Sequence, residues 1–66
     1  MQTFKSKVWT KPQTQSVIKM LRDNGLNVAK LNSGYECKVN DQLIFKAMIG
    51  NNGYLVRYAA ELFEAA

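Results

Sequence analysis

Gln42–Tyr58, QLIFKAMIGNNGYLVRY, is the stretch whose reading decides the fold. Apolar residues recur at every second position on both sides of GNNG, the pattern of two half-buried strands joined by a turn. Leu43, Phe45, Ala47 and Ile49 point one way; Ile44, Lys46 and Met48 point the other. Downstream, Tyr54, Val56 and Tyr58 alternate with Leu55 and Arg57. Asn-Gly adopts the positive φ of a type I′ turn at little cost. A loop at Asn52-Gly53 sets Ile49 opposite Val56 and Ala47 opposite Tyr58. A loop at Asn51-Asn52 sets Ile49 opposite Tyr54 and Phe45 opposite Tyr58. Both registers keep the same residues on the same face. The second also sets Lys46 against Arg57, a like-charge pair that costs energy, so the first is expected.

Upstream, Tyr35, Cys37 and Val39 alternate with Glu36 and Lys38 in a further strand. It is reached from a strand at 26–31 through a turn at Asn32-Ser33-Gly34. A plain two-residue turn at Asn40-Asp41 pairs Lys38 with Leu43 and Glu36 with Phe45, which puts charges on the core face. Because a one-residue slip exchanges the faces, an odd-length connection is expected. Either a three-residue loop at 40–42 or a bulge brings Cys37 opposite Phe45.

The most regular segment lies further upstream. Thr10 and Gln13 have capping-box spacing, with Pro12 in the first turn. Val17, Ile18, Met20 and Leu21, with Thr14, fill one arc of a helix; Lys11, Gln15, Lys19 and Arg22 occupy another. Gly25 is placed to end it as a left-handed residue, with Leu26 folding back on Leu21. Before the helix, TFKSKVW at 3–9 alternates Phe4, Ser6 and Val8 with Thr3, Lys5, Lys7 and Trp9. Outward lysines suit an edge strand, since they discourage pairing with other chains. After Tyr58, AAELFEAA at 59–66 is too short to be a stable helix alone. It reads as a helical turn held by Leu62 or Phe63, or as a frayed tail.

The element order is β-α-β-β-β-β, with a short C-terminal helical turn. The fold class is α+β: an antiparallel β-sheet with one amphipathic helix packed on one face, in a single domain over 1–66. The expected core is Phe4, Val8, Val17, Leu21, Val28, Tyr35, Cys37, Val39, Leu43, Phe45, Ala47, Ile49 and Val56.

With 66 residues, such a domain buries only about 60% of its unfolded surface. Burial gained by association therefore matters. Cys37 is the one cysteine, so no intramolecular disulfide forms and a reducing, cytoplasmic setting is expected. No apolar run reaches membrane-span length, and the N-terminus lacks a signal-peptide core. Histidine, the commonest general base, is absent. Cys37 on a core face reads as a small buried hydrophobe. Glu61 and Glu64 suit a solvated helix face, and the Asn-Gly pairs serve turns rather than phosphate loops. A non-catalytic protein is expected, with no cofactor, metal, membrane partner or small-molecule substrate.

Two surfaces remain for binding. The second sheet face carries Ile44, Met48 and Leu55, more apolar than a solvated face should be. Its expected occupant is a protein partner or a second copy of this chain. The alternative is nucleic acid. The net charge is +4, and the basic residues crowd the first half. Lys5, Lys7 and Trp9 share a strand face, while Lys11, Lys19 and Arg22 line the helix. Lys11 to Arg22 spans roughly 16 Å at helical rise, enough to follow several phosphates. Trp9 or an exposed tyrosine is available to stack on a base. Plainer readings compete with both: lysines solubilise, Trp9 lids the core, and one of the chain's ends folds over the second face.

Overall fold

The Gln42–Tyr58 stretch forms strands β4 (Gln42–Gly50) and β5 (Gly53–Ala59) in a computed structural model that describes residues 3–63. Around them lie β1 (Phe4–Trp9), helix α1 (Lys11–Asp23), β2 (Val28–Leu31), β3 (Gly34–Val39) and the one-turn helix α2 (Ala60–Phe63). The sheet is antiparallel throughout, in the order β1-β5-β4-β3-β2. The first and second strands are thus the two edges, and α1 crosses the sheet between them. This is the expected α+β architecture. The last three residues of the 59–66 segment, Glu64 among them, lie outside the described residues.

Helix α1 forms where its local signals place it. The Thr10 side chain accepts from Gln13 N–H at 3.2 Å, and Gln13 Oε1 accepts from Thr10 N–H at 3.1 Å. At the other end Gly25 has φ +82. Gly25 N–H donates to Arg22 O and Leu26 N–H to Leu21 O, both at 3.0 Å, closing a Schellman motif. Thr14, Ile18 and Leu21 point into the sheet. Buried Thr14 is satisfied by donating to Thr10 O at 2.8 Å.

Two turns depart from expectation. The β4–β5 loop is Asn51-Asn52, with Gly50 opposite Gly53, Phe45 opposite Tyr58 and Lys46 opposite Arg57. Gly53 is required by packing rather than by the turn. Its φ is +140, and a Cβ there would overlap the Trp9 carbonyl oxygen of β1. The like-charge cost is offset by neighbours: Glu36 is the other cross-strand partner of Lys46, and the Arg57 guanidinium carbon lies 5.2 Å from the Phe4 ring centroid. At the β3–β4 connection the turn is the two-residue one, Asn40 and Asp41 having φ 52 and 64. The parity problem is solved by the bulge. Cys37 pairs with Phe45 as expected, Lys38 pairs with Leu43, and Ile44 is the extra residue between them.

That bulge exchanges two side chains. Ile44 turns inward and is 4% exposed, whereas half-buried Leu43 shares the outer face with Lys38. The expected core is corrected in β1 as well. Phe4 and Val8 lie on the outer face, and Trp9 is the inward residue, its ring 5.3 Å from Tyr58 and 6.0 Å from Phe45. Ile49 points to the helix side but stands beyond the helix, exposed. The core is Ile18, Leu21, Val28, Cys37, Ile44, Phe45, Ala47, Tyr54, Val56, Tyr58 and Ala59.

The α2 turn is held by Phe63, which packs 5.8 Å from Phe45 and 5.9 Å from Tyr58, while Leu62 is exposed. Thr3 N–H donates to Glu61 Oε1 at 2.8 Å, and Ala60 N–H to Thr3 O at 2.8 Å, which ties α2 to the start of β1. The bond from Thr3 N–H holds the Glu61 carboxyl below its usual range. Cys37 is fully buried, and burial pushes its thiol up. A thiol reagent is therefore expected to label Cys37 only at the rate of unfolding; fast labelling of the native protein would contradict its burial.

Candidate interaction face

With α1 and α2 both on one side, the other side of the sheet has no layer over it among the described residues. Cross-strand register divides this open face into rows. One row runs Val8–Leu55–Met48–Gly34–Leu31 across all five strands. Val8 is 65% exposed and Leu55 55%. Met48 and Leu31 are half-buried by their neighbours. The next row runs Ser6–Arg57–Lys46–Glu36–Ala29. Beyond it lie Phe4, which is 37% exposed, and Leu43. The open face is thus an apolar band and a charged band side by side, with Phe4 and Leu43 beyond the charged one, Leu43 paired with exposed Lys38.

Of the residues expected on this face, Met48 and Leu55 are there and Ile44 is not. The bulge has moved Ile44 into the core beside Leu21, Leu26 and Val39. Val8, Leu31, Leu43 and Phe4 belong to the face and were not assigned to it from sequence. The missed signal lies in β1. Taking Trp9 as the inward residue of TFKSKVW sends Val8 outward by parity. Among the described residues neither end of the chain covers the face: β1 extends the sheet at its edge, and Phe63 packs on the helix side.

The six residues expected to meet nucleic acid lie elsewhere. Lys5, Lys7 and Trp9 are on the helix side of β1, and Lys7 and Trp9 line a groove of about 630 Å³ between β1, α1 and α2. Trp9 is half-buried against Phe45 and Tyr58, so its ring is largely engaged as a lid. Lys11, Lys19 and Arg22 are exposed on one line of α1. Two of them already have partners: Lys19 Nζ lies 3.5 Å from Asp23 Oδ2, and Arg22 Nη2 donates to Val28 O at 3.3 Å. Three of the six thus lie on β1 and three on α1. Among the described residues, no group of three or more His, Cys, Asp or Glu could hold a metal ion, and no helix is long and apolar enough to cross a membrane.

No family model matches the chain, and neither a curated protein nor a solved structure does.

Proposed function

We propose that this chain is a non-catalytic binding module that self-associates through the open sheet face. The observation that carries the reading is the apolar row Val8–Leu55–Met48–Leu31, which crosses the whole sheet with nothing over it among the described residues. Scattered exposed apolar residues are ordinary, whereas a continuous band is what an interface uses. A domain this small also gains more from such burial than a large one, since its own core contributes only a few kcal/mol of net stability.

The test is mass against concentration by light scattering. Wild type should grow heavier with concentration, and Leu55→Lys should stay monomeric. Leu55 is outside the core, so at concentrations low enough for wild type to be monomeric the variant should keep its unfolding midpoint. A wild-type chain that is monomeric at millimolar concentration would end this reading.

A second reading, nucleic-acid binding, rests on the exposed line of Lys11, Lys19 and Arg22 along α1. It has less support, because Arg22 and Lys19 are engaged and Trp9 is half sunk. Salt-sensitive retention on a DNA or RNA column, abolished by Lys19→Glu with Arg22→Glu, is the result that would favour it.

A further inference from the structure

The charged band on the open face is ordered with respect to the central strand, and that order selects one way for two copies to meet. Arg57 on β5 and Glu36 on β3 flank Lys46 on β4, all three in register. We infer that a second copy docks face to face about a two-fold axis running along β4, so that Arg57 of each copy meets Glu36 of the other. The inference rests on the self-association reading above and specifies its geometry.

An axis along β4 keeps each row at its own level and exchanges the two sides of the sheet. β5 then lies over β3 of the second copy. Arg57 faces Glu36 twice, Met48 faces Met48, and Val8 faces Leu31. Leu55 comes over Gly34, which contributes no side chain. The one like pair is Lys46 with Lys46. Each of these lysines has two Glu36 carboxylates beside it, one from its own chain and one from the second copy.

Another isologous choice is an axis across the strands through the charged row. It sets Arg57 on Arg57, Lys46 on Lys46 and Glu36 on Glu36. Three like pairs against two opposite pairs and one like pair is a large difference, because juxtaposed like charges suppress a wrong pairing by several kcal/mol. An axis along the strands also gives the aligned packing, with strands within about 30° of each other, that face-to-face sheets adopt.

Size sets the strength. Five strands about 4.8 Å apart and six residues of about 3.3 Å give a face roughly 20 Å square. A standard interface takes about 800 Å² from each partner, around a sixth of the 4742 Å² this chain exposes. The face falls short of that standard, so weak, concentration-dependent association is expected.

The experiment is charge reversal with complementation, read by sedimentation equilibrium at low salt. Arg57→Glu alone and Glu36→Arg alone should each weaken self-association roughly tenfold or more. Mixed one to one, the two variants should associate with each other at close to wild-type strength. In that heterodimer, each Glu of the first variant meets an Arg of the second. The doubly reversed chain should also recover, and circular dichroism of each variant checks that it folds. Association of wild type that is lost in Leu55→Lys but untouched by either reversal would overturn this geometry and leave self-association standing. So would two weakened variants that fail to complement each other. Absence of wild-type association would overturn both.

Discussion

Gly34→Ala should unfold most of the protein at 25 °C, although it adds a single methyl group. A Cβ at this position would overlap the Ala47 carbonyl oxygen and lie 2.9 Å from its carbon and 3.0 Å from Met48 Cα. All three atoms are backbone of β4, so no side chain can rotate away. Relief requires β3 and β4 to separate where Ile49 N–H donates to Ser33 O at 2.7 Å. Overpacking of a built interior costs typically 1–3 kcal/mol and more when backbone must move. The whole domain has only about 3–5 kcal/mol to lose.

Other glycines provide the controls. A Cβ at Gly25 meets nothing within 4 Å, so Gly25→Ala carries only the left-handed penalty of about 1–2 kcal/mol. At Gly50 the nearest atom is 3.5 Å away and Gly50→Ala should be close to neutral. Denaturant midpoints in the order Gly50, Gly25, Gly34 test the account. A Gly34→Ala midpoint equal to wild type would refute the strand contact.

Ile44→Ala and Leu43→Ala should differ sharply although the two residues are adjacent and similar in size. Truncating buried Ile44 is expected to cost about 2–5 kcal/mol, which leaves the domain marginal or unfolded. Leu43 is half-buried on the open face and should lose well under half as much. Without the bulge the pairing would slip by one residue, Leu43 would be inside, and the order of the two effects would reverse. Equilibrium urea unfolding of both variants decides between the registers, and Leu43→Ala proving the more damaging would rule out the bulge.

Local chemistry was legible where a few neighbouring residues determine the geometry. The Thr10/Gln13 box and the Gly25/Leu26 terminus required nothing beyond helix-end hydrogen bonding, and α1 forms between them. The need for one extra residue between β3 and β4 was legible too, because Cys37 and Phe45 had to share a face. The location of that residue was not. Leu43 and Ile44 are equally apolar, so alternation alone does not say which is folded in.

The β4–β5 register was misjudged by weighing one pair in isolation. Lys46 against Arg57 is unfavourable only until Glu36 and Phe4 are placed beside them, and those come from β3 and β1. Gly53 likewise reads as a turn residue until β1 is known to pass against it. Both errors share a cause: nothing local announces that the first strand pairs with the last. The open face carries two further errors: Val8 was assigned inward by the wrong parity in β1, and Ile44 outward because the place of the β3–β4 bulge was not known.

The β1–β5 pairing also bears on how the protein is made. On the ribosome, Phe4–Trp9 emerges about fifty residues before its partner Gly53–Ala59. At roughly 5–20 residues per second, the leading segment waits several seconds with Phe4, Val8 and Trp9 uncovered. During that interval Lys5 and Lys7 are the charges within the segment that oppose its pairing with a neighbouring nascent chain.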